Sequence, residues 1–275
     1  DDHTISAAGK AVDLGLVDVT LVGDETMIAE VCKSEGIDMA KFTIVHNPVE
    51  LKAVAQAVQM INDGEGDFLM KGLCSTDKFL RAILNKEKGL LPAKGTLTHC
   101  TTLEIPSYHK LLFVGDVAVI PAPDFKQKQV IMDCLVKTAK AVGVEKPKVA
   151  IIAATEQVLA SQPATIDAAL LSKMVDRGQI KGCIADGPLA LDVAIDQESV
   201  EIKGLVSPVA GDADCLLFPN IESGNVFYKA NSKLVQGVRQ AGILVGAKVP
   251  CVLSSRADSI DTKLNSIAIA AMSVK

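Results

Sequence analysis

The sequence has no tryptophan, and its aromatic residues amount to only 3%. Large rings therefore cannot build the core, and Ala, Val, Ile and Leu must fill it. That composition suits helices packed on a parallel sheet. The seven cysteines (32, 74, 100, 134, 183, 215, 251) contain no C-x-x-C pair, which argues against a structural zinc site. Standing alone, most of them inside apolar runs, they read as reduced thiols of a cell interior, so a cytoplasmic location is expected. There is no block of Lys or Arg, and the net charge is −5. That argues against a broad nucleic-acid surface, while a local basic pocket is not excluded. No uninterrupted apolar run reaches the roughly 18 residues of a membrane span, and no secretory leader is visible. The chain opens on Asp1, not Met, directly into a helical pattern. The expectation is that a preceding segment has been removed or is not included.

Three chemical signatures are also missing. No G-x-x-x-x-G-K-[ST] occurs, no G-x-G-x-x-G follows a strand, and there is no G-x-S-x-G elbow. The four histidines (3, 46, 99, 109) form no metal-spaced pair, and no metal site is expected.

What is present is strand-helix alternation over 275 residues, 49% of them apolar. A helix is expected over 3–15, then the strand "VDVTLVG" and a helix in "DETMIAEVCKSEG" between Asp24 and Gly36. The strand "KFTIVH" leads to the helix "NPVELKAVAQAVQMINDG", with Asn47 as N-cap and Pro48 at its first position. "DFLMKG" and "STDKFLRAILNKE" complete this α/β run. Near residue 94 the texture changes. "TLTHCTTLEI" and "KLLFVGDVAVI" read as consecutive strands, with a hairpin at Gly115-Asp116. Alternation then resumes: helix 124–142, strand "KVAIIAA", helix 164–177, strands "GCIADG" and "ADCLLFPN", helix 224–241, strand "AKVPCVLSS" and helix 258–273. The class is α/β, in two lobes.

Ligands of parallel α/β sheets collect at the C-terminal strand ends, where helix N-termini attract anions. Four such junctions carry unusual side chains. In "FLMKGLCSTDKFLRAIL", Lys71 and Gly72 end a strand and Arg81 lies one turn into the helix. They fit a phosphate site, or simply a solvated lysine and a surface arginine. In "IIAATEQ", Thr155 and Glu156 sit at a strand end, which a polar loop also explains. In "FPNIESGNVFYK", Asn220 precedes Ser223, Gly224 and Asn225. Gly224 would let backbone approach a phosphate closely. The fourth, "LSSRADSID", brings Ser255 and Arg256 to a helix start. Capping accounts for Asp258 and Ser259. It does not account for Arg256, whose charge opposes the helix dipole unless an anion is bound.

"DCLLFPNIESGNVFYK", "VPCVLSSRADS" and "FLMKGLCSTDKFLRAIL" together resemble the phosphate acetyl/butyryltransferases, and "ADGPLALDVAI" and "PVAGDADCLLFPN" resemble the butyryl branch. The resemblance runs from about residue 3 to the end. It implies two doubly wound lobes around a cleft, as in isocitrate and isopropylmalate dehydrogenases. Here these would be 1–94 plus 256–275, and 95–255. The implied reaction moves a short acyl group, butyryl favoured, between coenzyme A and inorganic phosphate. Coenzyme A is then a substrate, no cofactor is permanently bound, and a homodimer or larger homo-oligomer is expected. Ser255 and Arg256 match the family's active-site pair, and Arg81 matches a phosphate contact. Cys100 falls near a cysteine lining the site. The acetyl-branch base falls on Thr262 here. Asp261 is the expected catalytic carboxylate, with Asp258 and Glu222 as alternatives. Lys71, where the acetyl branch is usually not basic, would be an anion ligand of this branch. The implied substrate-binding set is Lys71, Gly72, Arg81, Cys100, Thr155, Glu156, Asn220, Ser223, Gly224 and Asn225. Rival readings are a phosphate acetyltransferase of the same family and a metal- and NAD-dependent dehydrogenase on the same fold.

Overall fold

The computed structural model describes residues 1–255 and 258–274. The chain divides into two compact units, Asp1–Leu97 with Ala241–Lys275, and Thr98–Gln240.

The first unit starts with α1 (Asp2–Asp13), β1 (Val19–Gly23), α2 (Glu25–Glu35), β2 (Phe42–His46), α3 (Glu50–Asn62), β3 (Leu69–Met70) and α4 (Thr76–Ile83). β1 and β2 pair in parallel, from Val19 opposite Phe42 to Gly23 opposite His46. Local chemistry sets the helix starts. Asp24 accepts from the N–H groups of Thr26 and Met27, and Ser75 from that of Lys78. Helix α3 differs from expectation. It begins at Glu50 after Val49, and Asn47 is not its N-cap. The Asn47 amide instead donates to Gln56 at 2.8 Å.

The second unit contains β4 (Thr98–Glu104), β5 (Leu112–Gly115), α5 (Phe125–Ala141), β6 (Lys148–Ile152), α6 (Pro163–Asp176), β7 (Ile184–Leu189), α7 (Leu191–Ile195), α8 (Gln197–Lys203), β8 (Cys215–Leu217) and α9 (Ile221–Leu234). Its strands lie in the order β4-β5-β8-β6-β7. The first pair is antiparallel and the others are parallel. Leu112, Phe113 and Val114 of β5 and Cys215, Leu216 and Leu217 of β8 are buried to 1% exposure or less. These central strands are apolar on both faces because helices cover both. Truncating a residue such as Phe113 would cost about 3–5 kcal/mol.

The β4–β5 hairpin turns over residues 105–111, not at Gly115-Asp116. Asp116 is where the chain leaves β5. Its buried carboxylate accepts from the Thr98 hydroxyl and from the N–H groups of His99, Ala118, Val119 and Ile120. Five donors on one carboxylate fix this bend.

The chain returns to the first unit through β9 (Arg239–Val245), β10 (Cys251–Val252) and α10 (Ile260–Met272). The expected helix over 224–241 is thus wrong at both ends. Asn220 caps α9, Gly237 takes a left-handed φ of 77° beyond its end, and "RQAGILV" is a strand. The expected placement of 241–255 with the second lobe also differs from the structure. β10 pairs antiparallel with β9 and parallel with β3. Helix α10 packs on α1 through Ile267 against Ala7 and Ala11, whose small side chains admit a close approach.

At the N-terminal ends of β5, β6 and β8, Asp212 pairs with Lys110 (2.7 Å), Lys148 (2.6 Å) and His109 (2.8 Å). Lys110 also reaches Asp214 at 2.9 Å. Partial burial by itself would raise the Asp212 carboxyl. The hydrogen bonds from Lys110, Lys148 and His109 outweigh it and hold the group well below the usual carboxylate range. A carboxyl depressed in the folded state stabilises above its unfolded value of about 3.9. That contribution is lost as pH falls through the folded value. The melting temperature is expected to drop below about pH 4, and Asp212→Asn to flatten that drop while lowering the melting temperature at pH 7. Calorimetry across pH checks both.

Candidate functional site

In the first unit the site grows from one strand pairing. Leu69 N–H donates to Pro250 O (3.2 Å) and Lys71 N–H donates to Val252 O (3.0 Å). Because β3 and β10 run parallel, their C-terminal tips emerge side by side. One tip carries Lys71 and Gly72, and the other Ser254 and Ser255. Two predicted site segments, about 180 residues apart in sequence, are therefore adjacent. Lys71 is 4% exposed, and its ammonium donates to Gly72 O at 3.1 Å. The N-terminus of α4 follows four residues later. A cavity of about 220 Å³ opens beside Gly72 at the ends of β1, β2 and β3, lined by Val22, Met27, Val54, Met70 and Phe79 among others.

The Ser254–Ser255 turn is held from both sides. Ser255 N–H donates to Asp258 Oδ2 at 2.7 Å, and Asp258 N–H donates to Ser255 O at 3.2 Å. Lys263 of α10 donates from Nζ to Ser254 Oγ (3.1 Å) and to Ser255 O (2.9 Å). The sequence reading missed Lys263. It shares the buried stripe of α10 with Ser266, Ile267 and Ala270. A lysine at helical spacing among core positions was the available signal. Burial pushes its ammonium below the usual lysine range, against the opposing pull of Asp258 and Asp2.

Not every expected residue joins this cluster. Asp261 lies two residues before Lys263, about 200° around the helix. Its side chain is 80% exposed and faces Lys10 at 3.7 Å. The expected catalytic carboxylate is thus turned away from the serines. Arg81 is also 80% exposed and pairs with Asp77 one turn earlier at 3.0 Å. Arg256 lies outside the described residues.

In the second unit, parallel β6 and β8 are neighbours, so Thr155, Glu156, Asn220 and Ser223 reach the same sheet end. Their side chains serve the fold there. Glu156 accepts from Ala190 N–H (3.3 Å) and pairs with Lys203 (3.4 Å). Thr155 Oγ1 accepts from Gln157 N–H. Asn220 Oδ1 accepts from the N–H and hydroxyl of Ser223. Gly224 has a different reason from the one expected. A Cβ there would run into the Asp116 carbonyl oxygen, so protein backbone already requires a glycine at this position. Asn225 completes the contact by donating to Val117 O at 2.8 Å. Glu222 is exposed in the first turn of α9.

Cys100 does not line a site. It is 1% exposed inside β4, beside Thr138 and Cys134, and burial pushes its thiol up to about 12. A thiol so far from ionisation is a poor nucleophile. Iodoacetamide at pH 8 is expected to leave Cys100 unmodified in the native protein, as peptide mass spectrometry would register. Among the described residues no group of three His, Cys, Asp or Glu could hold a metal ion, and no helix is long and apolar enough to cross a membrane.

The phosphate acetyl/butaryl transferase family model matches residues 40–271. Phosphate butyryltransferase of Clostridium acetobutylicum is 47% identical over 99% of this chain and 90% of its own length. Phosphate acetyltransferase of Rhizobium meliloti is 39% identical over 99% of this chain and 85% of its own. Among solved structures, a branched-chain phosphotransacylase from Enterococcus faecalis V583 aligns with a TM-score of 0.80 at 27% identity, covering 93% of this chain and 98% of that one. In fold alone the likeness extends to 4-hydroxythreonine-4-phosphate dehydrogenase of Klebsiella pneumoniae, with a TM-score of 0.56, 10% identity and coverage of 93% and 90%. With the family model matching across most of its length and such relatives spanning nearly all of it, the chain belongs to the phosphate acetyl/butaryl transferase family.

Proposed function

We propose that this protein reversibly transfers a short acyl group, butyryl in preference, between coenzyme A and inorganic phosphate, by direct attack in a ternary complex. The observation that carries this reading is the parallel pairing of β3 with β10, from whose neighbouring ends Lys71 and the Ser254–Ser255 turn follow. The 47% identity to a phosphate butyryltransferase supports it. We place the reaction in the cytoplasm, in line with seven free cysteines, and in a homodimer or larger assembly.

In the forward direction a phosphate oxygen attacks the thioester carbonyl carbon. A tetrahedral oxyanion forms and then collapses, breaking the carbon–sulfur bond and releasing coenzyme A thiolate. Lys71 would hold the phosphate, beside the N–H groups that start α4. Ser255 and Arg256 would stabilise the oxyanion; losing one such donor typically costs 10²–10³-fold in turnover. Arg81, on an exposed helix face, would reach phosphate only by leaving Asp77. In the reverse direction the thiol proton must go to a base. Asp258, whose carboxylate sits on Ser255 N–H, is better placed for that than Asp261. Fixing both reactants in one geometry supplies much of the rate.

Phosphate acetyltransferase activity is the second reading, favoured by the 39% identical Rhizobium meliloti relative. One assay separates the two. Phosphate-dependent thiol release from acetyl-, propionyl- and butyryl-CoA is expected to give the largest kcat/KM with butyryl-CoA; the largest value with acetyl-CoA would favour the second reading. No release from any of them, or a nicotinamide absorbance change instead, would refute both. In the same assay, Lys71→Ala is expected to raise the KM for phosphate about tenfold, or about 1.4 kcal/mol, with little change in the KM for acyl-CoA. An unchanged phosphate KM removes Lys71 from the anion site.

A further inference from the structure

Ser255 can help stabilise an oxyanion only if its backbone is held in one conformation. β10 is too short to do that, with two ladder residues ending at Val252. Lys263 supplies the missing restraint. It is 1% exposed, and its single ammonium bonds both the Ser254 hydroxyl and the Ser255 carbonyl. Helix α10, which carries it, is itself anchored. Ile267 packs on Ala7 and Ala11 of α1, and Ser266 Oγ accepts Gly242 N–H of β9 at 2.9 Å. An apolar residue would fill the same volume without desolvating a charge, so stability alone does not account for a lysine here. Resting on the acyl-transfer reading above, we infer that Lys263 is a positioning residue for the reaction: through its bonds to Ser254 and Ser255 it holds the active turn in register with Lys71.

Among the described residues, the charged groups that act on this ammonium are Asp258 from the preceding loop and Asp2 from α1. His3 of α1 adds a ring nitrogen 3.1 Å from Asp258 O.

The test uses the whole protein in the phosphate-dependent assay. Lys263→Met keeps the stem and removes both bonds, and Lys263→Gln keeps a donor of shorter reach. Lys263→Met is expected to lower kcat about 10²-fold, the scale of a misplacement of roughly 1 Å. Both KM values should stay within about threefold and the melting temperature should not fall. Lys263→Gln should recover part of the lost kcat. Wild-type kcat should decline on the alkaline side as the ammonium loses its proton, a limb missing in Lys263→Met. Normal kcat in Lys263→Met overturns the inference. So does a kcat loss in both variants that merely follows a falling melting temperature. A wild type inactive in this assay sinks the acyl-transfer reading and this inference with it. An active wild type beside an equally active Lys263→Met sinks the inference alone.

Discussion

The site in the first unit depends on a parallel pairing only two residues long. Leu69–Met70 and Cys251–Val252 bring the early and late parts of the chain together, with two flanking N–H···O bonds. Each such bond contributes a net of about 1 kcal/mol. So short a ladder needs support, and the burial around it provides that. Cys251 and Val252 are fully buried, and α10 lies on α1 through small alanines. Helix packing fixes the end of the strand, and the strand end fixes which residues meet. Lys263 then carries the restraint one step further, from helix to the Ser254–Ser255 turn.

The second unit reaches the same kind of precision with polar groups and a missing side chain. Asp116 gathers five donors where β5 ends, and Gly224 allows α9 to settle on the same peptide. Asn225 closes the contact on Val117. Several residues that resemble ligand groups in sequence are thus consumed by the scaffold. Glu156 and Asn220 are further cases, each satisfying the start of a helix. The same chemistry that binds an anion at a helix N-terminus also caps it. Spacing alone cannot separate the two uses.

Much of the architecture was legible in the residues. The α/β class, the helices opened by Asp24, Ser75 and Asp124, and the apolar strands of the second unit follow from period, caps and breaks. The errors have specific causes. Val235 and Val238 carry the apolar spacing of α9 on toward "RQAGILV", which hides in the sequence the break that Gly237 makes before the strand. Gly115-Asp116 has the composition of a hairpin turn, yet tertiary hydrogen bonds to Asp116 make it the end of β5. Asn47-Pro48 looks like a helix start, but the Asn47 side chain reaches Gln56 instead.

The sequence by itself determined the family and the elements, and it marked the segments around Lys71 and Ser255. These are written in local composition, periodicity and motif order. Only tertiary structure decided which of the marked side chains meet. It set the strand tip that carries Lys71 beside the one that leads to Ser254 and Ser255, turned Asp261 toward Lys10, buried Cys100 beyond use as a thiolate, and brought Lys263 under the Ser254–Ser255 turn. The reason is physical. Strand pairing and helix rotation join residues about 180 positions apart, and a shift of two residues on a helix turns a side chain through about 200°.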